Sequence, residues 1–105
     1  MKIAITSTGD SLNSFIDQRF GRCAFFAVYD TDSKSTEFIA NPNKDRQGGV
    51  GPASVQLIAS KNVTKVISGE FGTKVKPLFD NLNIQMVVVK DTEKTLSKVI
   101  EMINQ

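Results

Sequence analysis

A chain of 105 residues fits one domain spanning 1–105, since a typical domain takes roughly 100 to 200 residues, and no second full domain is expected. Leu, Ile, Val and Phe supply 31 of the residues, so a core is available, while a net charge of +2 excludes the general basicity that grips nucleic acid or an anionic membrane. Histidine is absent and cysteine occurs once, as Cys23, which removes the usual general base, the usual metal ligand and any internal disulfide.

Ile3 and Ile5 alternate with Lys2, Ala4 and Thr6, predicting a first strand over residues 2–7. The segment runs directly into Thr6, Ser7 and Thr8, without the apolar stretch of a signal peptide, so the cytoplasm is the expected compartment. A polar loop over 8–23 leads to an aromatic and β-branched strand at 24–30. Asp30, Asp32 and Ser33 carry turn chemistry, and a strand at 35–40 completes an antiparallel hairpin. Residues 23–29 form the longest apolar run, far short of the roughly 18 residues of a membrane span.

Asn41-Pro42-Asn43 ends the hairpin, and a second polar loop reaches Gly48-Gly49-Val50-Gly51. Pro52 suits the first turn of a helix placed at 52–61, with Val55, Ile58 and Ala59 as its apolar stripe. A strand at 63–68, a helix at 74–82, a strand at 84–89 and a helix at 92–104 follow. Val75, Leu78, Phe79 and Leu82, and then Leu96, Val99, Ile100 and Ile103, recur at helical spacing. Pro77 conflicts with a helix capped by Thr73, because it would remove an early hydrogen bond. Val87-Val88-Val89 has no polar alternate, which predicts a strand covered on both faces in a three-layer sandwich.

The order β-β-β-α-β-α-β-α implies a five-stranded mixed sheet in which one strand is antiparallel. Loops 8–23, 41–51, 69–73 and 90–92 then share the carboxyl edge, where open α/β sheets bind ligands. Gly48, Gly49 and Gly51 precede a helix, and free N–H groups with the helix dipole suit an anion there. The lysine and hydroxyl of a Walker motif do not follow, so nucleotide hydrolysis is not expected. Gly69, Gly72, Thr73 and Lys74 offer a second set of donors. Arg19 and Arg22 bring forked guanidiniums to the same edge. Cys23 begins an apolar strand and reads first as a buried thiol, and with no histidine it lacks a nucleophile's partner. The edge loops carry Arg19, Arg22, Lys44, Arg46, Lys74 and Lys76 against Asp10, Asp17, Asp45 and Glu70, whose spacing marks no metal pair. Asp30 and Asp32 belong to a turn at the opposite edge.

Taken in order, the opening Met1–Ile5 strand, the Arg19–Asp30 segment, Asn41-Pro42-Asn43 and the Gly48–Gly72 stretch resemble the dinitrogenase iron-molybdenum cofactor biosynthesis family, of nitrogenase accessory factor type, over nearly the whole chain. The resemblance implies an α/β domain with a three-layer ribonuclease-H-like fold. It also implies a non-enzymatic carrier or scaffold for an anionic metal-sulfur cluster, of iron-molybdenum or other molybdenum or iron-sulfur type. Many relatives carry histidine before the Phe-Gly-Arg and before the paired glycines, where this chain has Asp17-Gln18-Arg19 and Lys44-Asp45-Arg46-Gln47. Outer-sphere binding of the cluster by Arg19, Arg22, Lys74, Thr73 and the backbone of Gly48, Gly49, Gly51, Gly69 and Gly72 is therefore expected, with Cys23 the single candidate metal ligand. A monomer is expected, meeting a cluster donor or acceptor protein. The rival is an adaptor for a ParA/MinD-type ATPase that no longer binds a cluster. A divalent-metal phosphohydrolase is disfavoured by the scattered carboxylates and by a first strand without one.

Overall fold

The computed structural model describes residues 1–91 and 93–105. Eight elements follow in the expected order: β1 (Lys2–Ser7), β2 (Phe25–Asp30), β3 (Ser35–Ala40), α1 (Val50–Ala59), β4 (Lys65–Ser68), α2 (Lys76–Asn81), β5 (Gln85–Val88) and α3 (Leu96–Ile103). The strands form one sheet of order β3-β2-β1-β4-β5. β2 is antiparallel to β1 and β3, whereas β1, β4 and β5 pair in parallel, so β2 alone opposes the other four. This α/β arrangement is compatible with the ribonuclease-H-like layout inferred from the sequence. No helix among the described residues is long and apolar enough to cross a membrane.

The period-two alternation of the central strands divides the core between the two faces. Ala4, Phe26, Val28 and Val66 pack with Val55 and Ile58 of α1 and with Val75 and Phe79 at α2. On the other face Ile3, Ile5, Ala27 and Ile67 pack with Leu96 and Val99 of α3. Phe20, from the long loop after β1, joins the first cluster and lies 5.3 Å from Phe79, 5.5 Å from Phe71 and 5.7 Å from Phe26 between ring centroids. An aromatic group thus anchors a loop that is otherwise polar.

Several boundaries differ from the sequence reading. α1 starts at Val50, with Gly49 as a left-handed N-cap at φ 66°, and ends at Ala59. Pro52 fits because it still lies in the first turn, where an N–H is not required. α2 is shorter than 74–82: Thr73 does not cap it, Val75 does, and Pro77 falls at the start of the helix. That placement removes the conflict, since no helical bond is lost. β4 begins at Lys65 rather than 63, because Asn62 makes a left-handed turn at φ 63° and Val63 packs into the core. β2 begins at Phe25 rather than 24, and β5 covers Gln85–Val88 rather than 84–89. α3 begins at Leu96, capped by the Thr95 hydroxyl, which accepts from the Lys98 N–H at 3.2 Å. Thr92, the expected start of that helix, lies outside the described residues.

The largest correction concerns Val87-Val88-Val89. β5 is an edge strand, and Val88 is 51% exposed, so the run is not covered on both faces. Its apolarity is a local property, whereas its cover depends on how far α2 and α3 reach across the sheet. Phe79→Ala should lower stability by about 3–5 kcal/mol, through lost burial and the cavity left among Phe20, Phe71 and Val75. Urea unfolding measures this, and a loss below about 1 kcal/mol would show that the aromatic cluster is not a core element.

Candidate functional site

The strand ends at the carboxyl edge carry buried polar side chains, and each ties down a loop. Thr6 donates to the Asp17 carbonyl at 2.7 Å and Ser7 to the Gly9 carbonyl at 2.6 Å. Ser68, ending β4, donates to the Glu70 carbonyl at 3.0 Å. Asn41, just past β3, donates to the carbonyls of Gly21 at 2.8 Å and Cys23 at 2.9 Å, and Ser54 of α1 also donates to Gly21. Gly21 adopts φ 90°, and a Cβ there would come within 3.2 Å of Val50 Cγ1. The Arg19–Cys23 turn is therefore seated directly against the start of α1.

These ties frame a cleft of about 500 Å³. Arg19, Phe20 and Arg22 form one wall, Gly49–Pro52 a second, and Glu70 with Gly72–Val75 a third. An adjoining hollow of about 470 Å³ shares Arg19 and Arg22 and adds Asp17, Ala24, Lys44 and Asp45. Of the residues expected at the site, Arg19, Arg22, Gly49, Gly51, Gly72, Thr73 and Lys74 line the cleft. Gly48, Gly69 and Cys23 do not. Gly48 is exposed beyond the rim, and the buried Gly69 spends its N–H on the Asp17 carbonyl. The sequence reading missed Val50, Pro52 and Val75, did not place Phe20 there, and put Glu70 on the ligand edge without making it a site residue. Adjacency to the glycines was the available signal, but glycine spacing alone does not say which neighbours face inward.

The charge of the cleft wall is mostly positive, with Glu70 its one acidic residue. All three arginines of the chain, Arg19, Arg22 and Arg46, lie at this edge, and with Lys44 and Lys74 they form no ion pair among the described residues. Lys76 drops out of the expected basic set because it pairs with Asp80 at 2.9 Å. Arg22 also has a structural duty: one of its terminal nitrogens donates to the carbonyls of Lys44 at 3.0 Å and Arg46 at 3.1 Å. The two long helices differ at their starts. At α3 the N–H groups of Leu96 and Ser97 donate to the Ser14 and Leu12 carbonyls. At α1 no side chain caps the helix, and the N–H groups of Val50 and Gly51 have no partner among the described residues. The N–H groups of Gly72, Thr73 and Lys74 are equally free there. Open donors, helix dipole and guanidiniums thus converge where an anion would be held.

Cys23 sits in the core with no exposed surface, and burial, reinforced by the negative Asp17, pushes its thiol from 9.0 up to about 12. It remains protonated near neutral pH and lines neither the cleft nor the adjoining hollow, so it presents no thiolate there. Among the described residues no three His, Cys, Asp or Glu side chains converge as a metal-ion site. At the opposite edge, the N–H of Asp32 bonds to the Asp30 carboxylate at 2.8 Å and holds its pKa below the ordinary range, as turn chemistry requires.

A mixed α/β sheet with an arginine-lined cleft at its carboxyl edge defines the class of protein. More particularly, the chain belongs to the family described as dinitrogenase iron-molybdenum cofactor, whose model matches residues 1–105. No curated protein sequence is significantly similar to it. Among solved structures, the apo form of the orange protein from Desulfovibrio gigas is similar at TM-score 0.88 and 26% identity, over 97% of this chain and 85% of that one. A Thermotoga protein provisionally called a NifB protein is similar at 0.82 and 28%, over 97% and 85%. A Methanocaldococcus jannaschii protein provisionally called a dinitrogenase shares the fold at 0.63 and 24%, over 97% and 89%.

The buried thiol has a consequence for stability. The folded Cys23 pKa lies above its unfolded value, so between about pH 9 and about pH 12 the unfolded chain binds fewer protons, and stability falls as pH rises. Denaturant unfolding from about pH 8 to about pH 11 should show that fall, and Cys23→Ala should lessen it. An identical slope in the variant would mean that the thiol ionises freely in the folded protein.

Proposed function

We propose that the protein is a non-catalytic carrier that holds an anionic metal-sulfur cluster, or a precursor of one, in the cleft at the carboxyl edge of the sheet. The observation that carries this reading is the meeting of unpaired Arg19, Arg22 and Lys74 with the open start of α1 in one cleft, in a chain of the iron-molybdenum cofactor family. The orange protein, similar to this chain along most of its length, is described in an apo form, which supports a cargo-binding role.

Without histidine or an accessible thiol, the protein's hold on a cluster is outer-sphere. The N–H groups of Val50, Gly51, Gly72, Thr73 and Lys74 and the forks of Arg19 and Arg22 supply charge-assisted hydrogen bonds to a sulfide or oxide surface. Phe20, Val50 and Val75 give the cleft an apolar side, which suits weakly hydrated, polarizable sulfur and strengthens the electrostatic contacts by excluding water. A cluster held this way keeps its own coordination shell intact and leaves without breaking a bond to protein, as a carrier requires. The partner is then a donor or acceptor protein in the cytoplasm. The comparisons give no support to a ParA/MinD-type ATPase.

Anaerobic titration of the protein with tetrathiomolybdate, followed by backbone amide NMR, tests the site. Saturable shifts should be confined to residues 19–22, 49–52 and 70–75, and their absence would refute the cleft as the cargo site. Arg19→Ala should weaken binding at least about tenfold, since it removes a charge-assisted contact from a side chain with no other partner. Adding Arg22→Ala should weaken it further and loosen residues 44–46. Unchanged affinity in the double variant would take both arginines out of the site.

A further inference from the structure

The wall of the cleft contains one acidic residue, Glu70, opposite the charge that the rest of the wall presents. It is exposed, and its carboxylate forms no ion pair among the described residues although Arg19, Arg22 and Lys74 line the same cleft. Its backbone is fixed: its carbonyl accepts from the Phe20 N–H at 3.3 Å and from the Ser68 hydroxyl at 3.0 Å, and it forms a bridge with Arg19. The carboxylate is therefore rooted beside the anion's place without being neutralised there.

We propose that Glu70 sets the affinity of the cleft from above: its negative charge repels the bound anion, keeps the hold weak enough for release, and matches the cleft to cargo of low negative charge. This rests on the reading of the cleft as an anion carrier. With Glu70 the charged side chains of the wall sum to +2, which a dianion neutralises; without it they sum to +3, and a dianion is over-held. Because the charge is exposed, its field meets the approaching anion as well as the bound one and falls on both the on-rate and the off-rate.

Equilibrium and stopped-flow binding of tetrathiomolybdate, a dianion, tests this with four proteins under anaerobic conditions. Glu70→Gln should bind about tenfold more tightly than the wild type at low salt, through faster capture and slower release, and the gain should shrink as salt screens it. Glu70→Asp, which restores the charge, should return most of the way to wild-type affinity. Asp32→Asn makes the same charge change in the exposed turn at the opposite edge and should bind as the wild type does. An unchanged affinity in Glu70→Gln, or an equal gain in Asp32→Asn, would overturn the proposal while leaving the cleft in place. Weaker binding in Glu70→Gln would also overturn it, making the carboxylate a ligand to metal in the cargo. Absence of binding in the wild type would remove the carrier reading and this inference together.

Discussion

The arrangement of the site depends on one constraint, that a polar side chain taken out of water must find a hydrogen-bond partner. Thr6, Ser7, Asn41, Ser54 and Ser68 are all buried, and all lie at or next to the carboxyl edge. Their partners are carbonyls of the loops that build the cleft: Asp17, Gly9, Gly21, Cys23 and Glu70. No buried side-chain nitrogen or oxygen among the described residues is left without a partner. Leaving any one unsatisfied costs about 1–3 kcal/mol, so the loops are held to the strand ends by the same rule that keeps the core free of orphaned groups. Phe20 adds an apolar anchor inside that polar frame, and Arg19 and Arg22 are carried outward on either side of it.

The fixed loops put positive charge where no carboxylate pairs with it among the described residues. Ion pairs elsewhere join Lys61 with Glu37, Lys76 with Asp80, Lys94 with Asp91 and Lys98 with Glu101, whereas the arginines are left open at the carboxyl edge. A helix start with its first donors free has the same character, and α1 contrasts with α3, whose donors are filled by the loop after β1. Exposed charge in water is weak by itself. Here it borders a recess with an apolar side, and water excluded from such a place returns strength to each contact. The cleft is suited to recognition by shape and charge.

Where the resemblance to the family implies histidine, this chain has Asp17-Gln18-Arg19 and Lys44-Asp45-Arg46-Gln47. The structure shows both segments on the hollow that adjoins the cleft, with Lys44 and Arg46 carbonyls pinned by Arg22. Arg22 thus both lines the cleft and fixes the loop beside it.

Local pattern in the sequence determined the element order, the antiparallel hairpin, the apolar face of each helix except at Leu82, which lies past the end of α2 and is 43% exposed, and the edge where the glycine loops gather. Each of these follows from periodicity within a few residues, or from connectivity rules that depend on order alone. The alternation of Ile3, Ala4 and Ile5 already assigned side chains to two faces, and the Arg19-Phe20-Gly21-Arg22 segment already carried the charge. Only the tertiary structure decided that Cys23 is buried behind Asn41, that Lys76 is spent on Asp80, that Gly69 gives its N–H to Asp17 and that Glu70 lines the cleft. It also decided that Val87-Val88-Val89 lies at a sheet edge. The physical reason is common to all of these: exposure and partnership are set by segments distant in the chain, which a periodic pattern does not encode.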